Sequence, residues 1–209
     1  MYNYEDFLKT LKSNSIIPVV VIDNHEDVLP LAEVLLENKC NIIEITLRTP
    51  KAIDSIKLLK QKIPDIIVGA GTALSSEIFR MTEDAGVDFV VSPGTTKDLI
   101  RYAMTSKTPY LPGVMTSSEI LKVKMAGFTL QKFFPASLAG GISALKTYAS
   151  VYGDVKFCPT GGVSAENYKD FLALPNVCAV GGTWIAPKEK ITSHDWETIR
   201  SNLKALSSV

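Results

Sequence analysis

Short apolar runs alternate along the chain with stretches whose apolar positions recur every three or four residues. The runs are rich in β-branched and aromatic side chains. They predict strands at 16–22, 41–46, 66–70, 88–92, 109–112, 128–133, 155–159 and 177–180. Helical spacing between them predicts helices near 26–38, 50–62, 75–85, 95–105, 117–126, 141–151, 165–174 and 195–206. One more helix, near 4–13, precedes the first strand. Strand starts fall about 23 residues apart, room for one strand, one helix and two short connections. The strands are near-continuous apolar runs, the pattern of a parallel sheet covered by helices.

Eight such units predict one α/β domain over residues 1–209, a single (β/α)8 TIM barrel with an extra N-terminal helix. The competing arrangement, an open doubly wound sheet, usually carries a glycine-rich turn before its first helix. Here Asp23-Asn24-His25-Glu26-Asp27 follows the first strand and contains no glycine. The glycine-rich turns come late in the chain instead.

Composition narrows the partners. The chain is 46% hydrophobic, which supports a substantial core. Lys+Arg and Asp+Glu both number 22, so the formal charge is zero and nothing calls for nucleic acid or an anionic membrane. The polar, acidic start Met1-Tyr2-Asn3-Tyr4-Glu5-Asp6 lacks the basic and apolar parts of a signal peptide, and a cytoplasmic location is expected. Cys40, Cys158 and Cys178 are scattered, with no CxxC, and are expected to be reduced thiols. His25 and His194 lack ligand spacing, so neither a metal nor another cofactor is expected.

A barrel carries its chemistry at the carboxyl ends of its strands. Glu44 interrupts an apolar strand. With period two it shares a face with Ile42 and Thr46, leaving Ile43, Ile45 and Leu47 to pack on helices. A carboxylate pointing into a barrel is costly without a partner, so Glu44 is a structural ion pair or a general acid/base. Arg48, just beyond, would grip a carboxylate by two hydrogen bonds. Val68-Gly69-Ala70-Gly71-Thr72 adds two glycines and the Thr72 hydroxyl at the end of the third strand. Lys132 ends the run Phe128-Thr129-Leu130-Gln131-Lys132, sharing a face with Phe128, Leu130 and Phe134. On an isolated strand it would snorkel to solvent. Inside a barrel that route is closed, and burial favours a neutral, nucleophilic amine. Thr160-Gly161-Gly162 and Gly181-Gly182-Thr183 follow the last two strands, where barrels of this type bind phosphate through backbone N–H groups. Thr160 and Thr183 would add hydroxyls.

These motifs, together with Ser92-Pro93-Gly94, Lys132-Phe133-Phe134-Pro135-Ala136 and Cys158-Pro159-Thr160-Gly161-Gly162, resemble the bacterial 2-keto-3-deoxy-6-phosphogluconate (KDPG) and 4-hydroxy-2-oxoglutarate (KHG) aldolases. The likeness keeps order and spacing from about Ile16 to Trp184. It implies a class I aldolase that works through a lysine Schiff base without a metal, and a homotrimer. It implies Lys132 as the imine-forming residue and Glu44 as acid/base. Arg48 and Thr72 would hold the pyruvoyl carboxylate, Pro93 and Phe134 would line the pocket, and Gly161, Gly162, Gly182 and Thr183 would bind the distal phosphate. Two positions depart from the family pattern. Ser137 stands where an acidic residue is common, and Thr183 replaces a serine while keeping the hydroxyl. An aldolase for the galactonate epimer is therefore an alternative, as is a sugar-phosphate isomerase or epimerase that uses Glu44 as base without an imine.

Overall fold

The structure is a computed structural model that describes residues 4–206; Met1, Tyr2 and Asn3 at the polar start, and residues 207–209, lie outside it. It is an α/β fold built on a curled parallel sheet. The strands are β1 (Ile16–Val20), β2 (Ile42–Thr46), β3 (Ile67–Gly71), β4 (Phe89–Val91), β5 (Tyr110–Leu111), β6 (Gly113–Val114), β7 (Leu130–Phe133), β8 (Lys156–Pro159) and β9 (Val180–Gly182). Six of them form one sheet in the order β5-β4-β3-β2-β1-β9, and three form another, β6-β7-β8. All pairings are parallel. Isolated parallel bridges Phe157↔Val177 and Thr160↔Gly181 link the β8 side of one sheet to the β9 side of the other.

Helices follow the strands: α1 (Tyr4–Ser13) ahead of them, then α2 (Val28–Glu37), α3 (Ala52–Lys62), α4 (Ser76–Asp84), α5 (Lys97–Thr105), α6 (Ser117–Met125), α7 (Gly141–Val151), α8 (Tyr168–Leu172), α9 (Lys188–Thr192) and α10 (Trp196–Leu206). Local chemistry starts several of them. Ser75, Thr96 and Thr116 cap α4, α5 and α6 with side-chain oxygens, and Thr116 and Glu119 form a reciprocal capping box.

Two cores result from the alternation. Ile43, Ile45, Val68, Val90, Phe133 and Phe157 face outward into a large cluster with the helices. Ile17, Ile42, Phe89, Val91, Leu111, Leu130 and Cys158 face inward and form a second cluster shared by both sheets. Phe7 and Leu11 of α1 join that inner cluster, with the Phe7 ring 5.5 Å from Phe89. α1 thus covers the amino-terminal ends of the strands. Burying each of these side chains is worth roughly 2 kcal/mol in apolar transfer.

The departures from the sequence reading have local causes. The fifth strand is two pairs of residues, because Pro112 between them has no N–H to give the ladder. The last strand is β9 rather than 177–180. Glycines 181 and 182 carry no apolar signal, yet they pair with Ile17 and Pro18. The helix after β1 begins as a 3-10 turn at His25–Asp27. The helix expected over 165–174 shortens to α8, because Ser164 and Asn167 bond to nearby side-chain and backbone groups. Phe128 precedes β7 and packs edge-on against Tyr110 in the outer cluster, not on the Lys132 face. The five-residue, largely polar α9 has no counterpart in the periodicity.

Candidate active site

At the carboxyl ends of the strands lies a cavity of about 430 Å³. Lys132 reaches it from β7, where it pairs with Gly113 on one side and Cys158 on the other. Glu44 stands on β2 between Val19 and Gly69. The Lys132 ammonium donates to Glu44 Oε1 at 3.2 Å, and both side chains are buried, 6% and 3% exposed. Lys132 Nζ also lies 5.3 Å from the Phe134 ring centre, a cation–π distance. Gly71 makes room for the carboxylate. A Cβ there would sit 2.1 Å from Glu44 Oε1.

The thiol beside the pair carries no competing charge. Burial, aided by the neighbouring Cys178, pushes the Cys158 thiol far above its ordinary range. Cys178 is pushed up to about 12, mainly by burial. Beside Lys132, the acidic partner is therefore Glu44, not the Cys158 thiol.

Arg48 enters the cavity from the turn after β2. Two contacts hold that turn in place: the Leu47 amide donates to Gly71 O at 2.8 Å, and Thr49 Oγ1 donates to Ile22 O at 2.5 Å. Across the mouth, Phe134, Thr160, Gly161, Gly162, Gly182 and Thr183 line the same space as Arg48 and Lys132. Ser137 also lines it. Thr160 is buried, whereas Arg48 and Thr183 are exposed.

Three expected residues do not line the cavity. Glu44 reaches it only through its contact with Lys132. Thr72 lies next to Gly71 at φ 68, a left-handed conformation that β-branched residues rarely adopt. Pro93 packs its backbone against Gly113. Neither lines the cavity. Conversely, Val19, Pro135, Leu138 and Val163 line it without having been expected there. The signal for Val19 is its inward position on β1, in register with Glu44. Among the described residues, no group of three His, Cys, Asp or Glu side chains is gathered so as to hold a metal ion, and no helix is long and apolar enough to cross a membrane.

A buried amine–carboxylate pair at the carboxyl ends of parallel strands, opening on a glycine-lined mouth, is the equipment of a Schiff-base lyase. The family described as "Aldolase: KDPG and KHG aldolase" matches residues 7–202, and the chain belongs to it. It is 44% identical to the 2-dehydro-3-deoxy-phosphogluconate aldolase of Pseudomonas aeruginosa over 184 residues, 88% of this chain and 84% of that protein. It is 38% identical to the KHG/KDPG aldolase of Escherichia coli strain K12 over 189 residues, 90% of this chain and 89% of that one. Among solved structures it is similar to the KDPG aldolase of Legionella pneumophila, captured with pyruvate at low pH as a covalent carbinolamine intermediate. There the TM-score is 0.94 at 43% identity, over 96% of this chain and 98% of that one.

Proposed function

We propose that this protein cleaves 2-keto-3-deoxy-6-phosphogluconate to pyruvate and glyceraldehyde 3-phosphate through an imine on Lys132. The observation that carries the reading is the buried contact between Lys132, which lines the cavity, and Glu44. Glu44 takes a proton from the lysine ammonium, and the freed lone pair attacks the keto carbon. Glu44 then returns protons as the carbinolamine loses water. The resulting iminium is an electron sink. Glu44 removes the proton of the carbon-4 hydroxyl, the bond between carbons 3 and 4 breaks, and its electron pair passes into the enamine. Glyceraldehyde 3-phosphate leaves, the enamine takes a proton at carbon 3, and water releases pyruvate. One carboxylate accepts and donates in turn, as general acid–base catalysis requires.

Arg48 would hold the substrate carboxylate by two hydrogen bonds. Thr72 and Pro93 lie outside the cavity lining and are assigned no contact, while the Phe134 ring would pack against the imine. The positive-φ turn of Gly161 and Gly162, with Thr160, Gly182 and Thr183, would hold the phosphate. The name of the Escherichia coli relative supports a second substrate, 4-hydroxy-2-oxoglutarate, cleaved to pyruvate and glyoxylate.

We further read residues 1–209 as one closed eight-unit barrel in the cytoplasm. Its support is the pair of bridges between the sheets, the inner cluster common to both, and the single residue, Pro112, that separates β5 from β6. A homotrimer is implied by the family. Exposed apolar side chains such as Met125 and Leu138 offer surface for it, and sedimentation velocity reads the stoichiometry.

Borohydride reduction with pyruvate tests the central claim. A pyruvate-derived mass is expected on the peptide containing Lys132, after chelator treatment as before it. Its absence would sink the imine and leave a proton-transfer isomerase as the reading.

A further inference from the structure

One wall of the cavity is the turn Thr160-Gly161-Gly162-Val163, in which both glycines have positive φ, 88 and 80. Each of its two glycine carbonyls accepts from a residue beyond the turn. Gly161 O accepts from the Ser137 amide at 3.0 Å and from Ser137 Oγ at 3.3 Å. Gly162 O accepts from Asn167 Nδ2 at 3.0 Å. The orientation of Asn167 is itself set, because its Oδ1 accepts from the Ser164 amide at 2.9 Å, leaving Nδ2 to donate. A planar trans peptide points its N–H opposite to its C=O. With the carbonyls turned toward Ser137 and Asn167, the amides of Gly162 and Val163 turn the other way. Among the described residues, no backbone carbonyl accepts from either amide, and both residues line the cavity.

We propose that Ser137 and Asn167 are positioning residues that lock two successive peptide planes, presenting the Gly162 and Val163 amides as a preformed seat for the phosphate of the substrate. The proposal rests on the aldolase reading above and extends it to two side chains that need not touch the phosphate. Glycine leaves its backbone freer than any other residue, so an unheld Gly-Gly turn would sample many amide directions. Holding the carbonyls removes that freedom before the ligand arrives, which is where preorganised donors gain their strength. The fit is close. A Cβ on Gly162 would meet Ser137 Oγ at 1.6 Å, so Ser137 can hold this place only beside a glycine. Ser137 thereby has a role that an acidic side chain could not fill, since a carboxylate has no proton to donate to the Gly161 carbonyl.

The test compares KM for the phosphorylated keto-deoxy acid with KM for its dephosphorylated form. Inorganic phosphate as a competitive inhibitor gives a second readout. Asn167→Ala is expected to raise the phosphorylated-to-dephosphorylated KM ratio about tenfold, by losing the hydrogen bond that holds the Gly162 carbonyl. Ser137→Ala is expected to raise it about threefold, because the backbone amide still holds Gly161. Ser137→Thr, which keeps the hydroxyl, restores the parental ratio. Inhibition by inorganic phosphate weakens in parallel. An unchanged ratio in both alanine variants overturns the clamp, and so does an equal loss on both substrates, the mark of a merely structural role. If Asn167→Ala does not fold, as read by circular dichroism, Ser137→Ala on its exposed loop decides. Pyruvate trapping on Lys132 in the parent protein is independent of the phosphate seat. Its failure overturns the aldolase reading, while trapping with an unmoved ratio overturns the clamp alone.

Discussion

Replacing Lys132 with methionine is expected to lower the cleavage rate by at least about 10⁴-fold, as loss of a catalytic nucleophile does elsewhere. Methionine keeps an unbranched apolar stem but has no amine, so the cavity wall stays filled while imine formation is lost. Stability should fall as well. The variant strands the Glu44 carboxylate, 3% exposed, without its cation. Breaking a buried pair in this way costs about 3–5 kcal/mol. Adding Glu44→Gln to the methionine variant removes the stranded charge and should return most of that stability with no return of activity. Steady-state cleavage assays and urea unfolding measure the two effects separately. Retention of more than a few per cent of the parental rate would end the case for Lys132 as nucleophile.

Glu44→Gln alone carries the second large effect, a fall in kcat on the order of 10²–10⁴-fold. Glutamine has the shape of glutamate, and its oxygen can still accept from Lys132 Nζ, now 3.2 Å from Glu44 Oε1. What disappears is the ability to exchange protons. Trapped pyruvate should still form on Lys132, but slowly. Exchange of the pyruvate methyl hydrogens with heavy water should fall alongside kcat, since enamine protonation draws on the same group. A near-parental kcat would move the acid/base role to another residue. Gly71 leaves the space that the carboxylate occupies, since a Cβ there would meet Glu44 Oε1 at 2.1 Å.

Much of this site is legible in the amino-acid sequence, and the reason is alternation. Glu44 breaks an apolar strand at an inward position, and a period of two is enough to aim it. Lys132 sits two residues beyond Leu130, a member of the inner cluster, and so shares its inward face. Both Gly-Gly pairs fall on one rim, although only Gly161-Gly162 is a turn after its strand and Gly181-Gly182 ends β9 itself. What alternation does not encode is distance around the rim. Thr72 and Pro93 occupy the right end of the sheet, yet neither lines the cavity, because its extent depends on how the loops lean. Elements are misjudged where the signal is not carried by apolar side chains. β9 runs through glycines, α8 is cut short by side chain–backbone bonds, and α9 is a polar single turn. Asn167 escapes notice for a related reason. Its work is done through a neighbouring carbonyl, and a lone asparagine in a loop resembles any other turn residue.

The helix α1 bears on the order of events in a turnover. By setting Phe7 and Leu11 into the inner cluster, it makes the space beneath Lys132 apolar and filled. On the aldolase reading, the water that hydrolyses the imine would come from the cavity side, along the passage by which glyceraldehyde 3-phosphate departs. The aldehyde must vacate before that water arrives, so pyruvate leaves last. In the reverse direction pyruvate must load first, and the enzyme waits as an enamine for whichever aldehyde comes down the passage next.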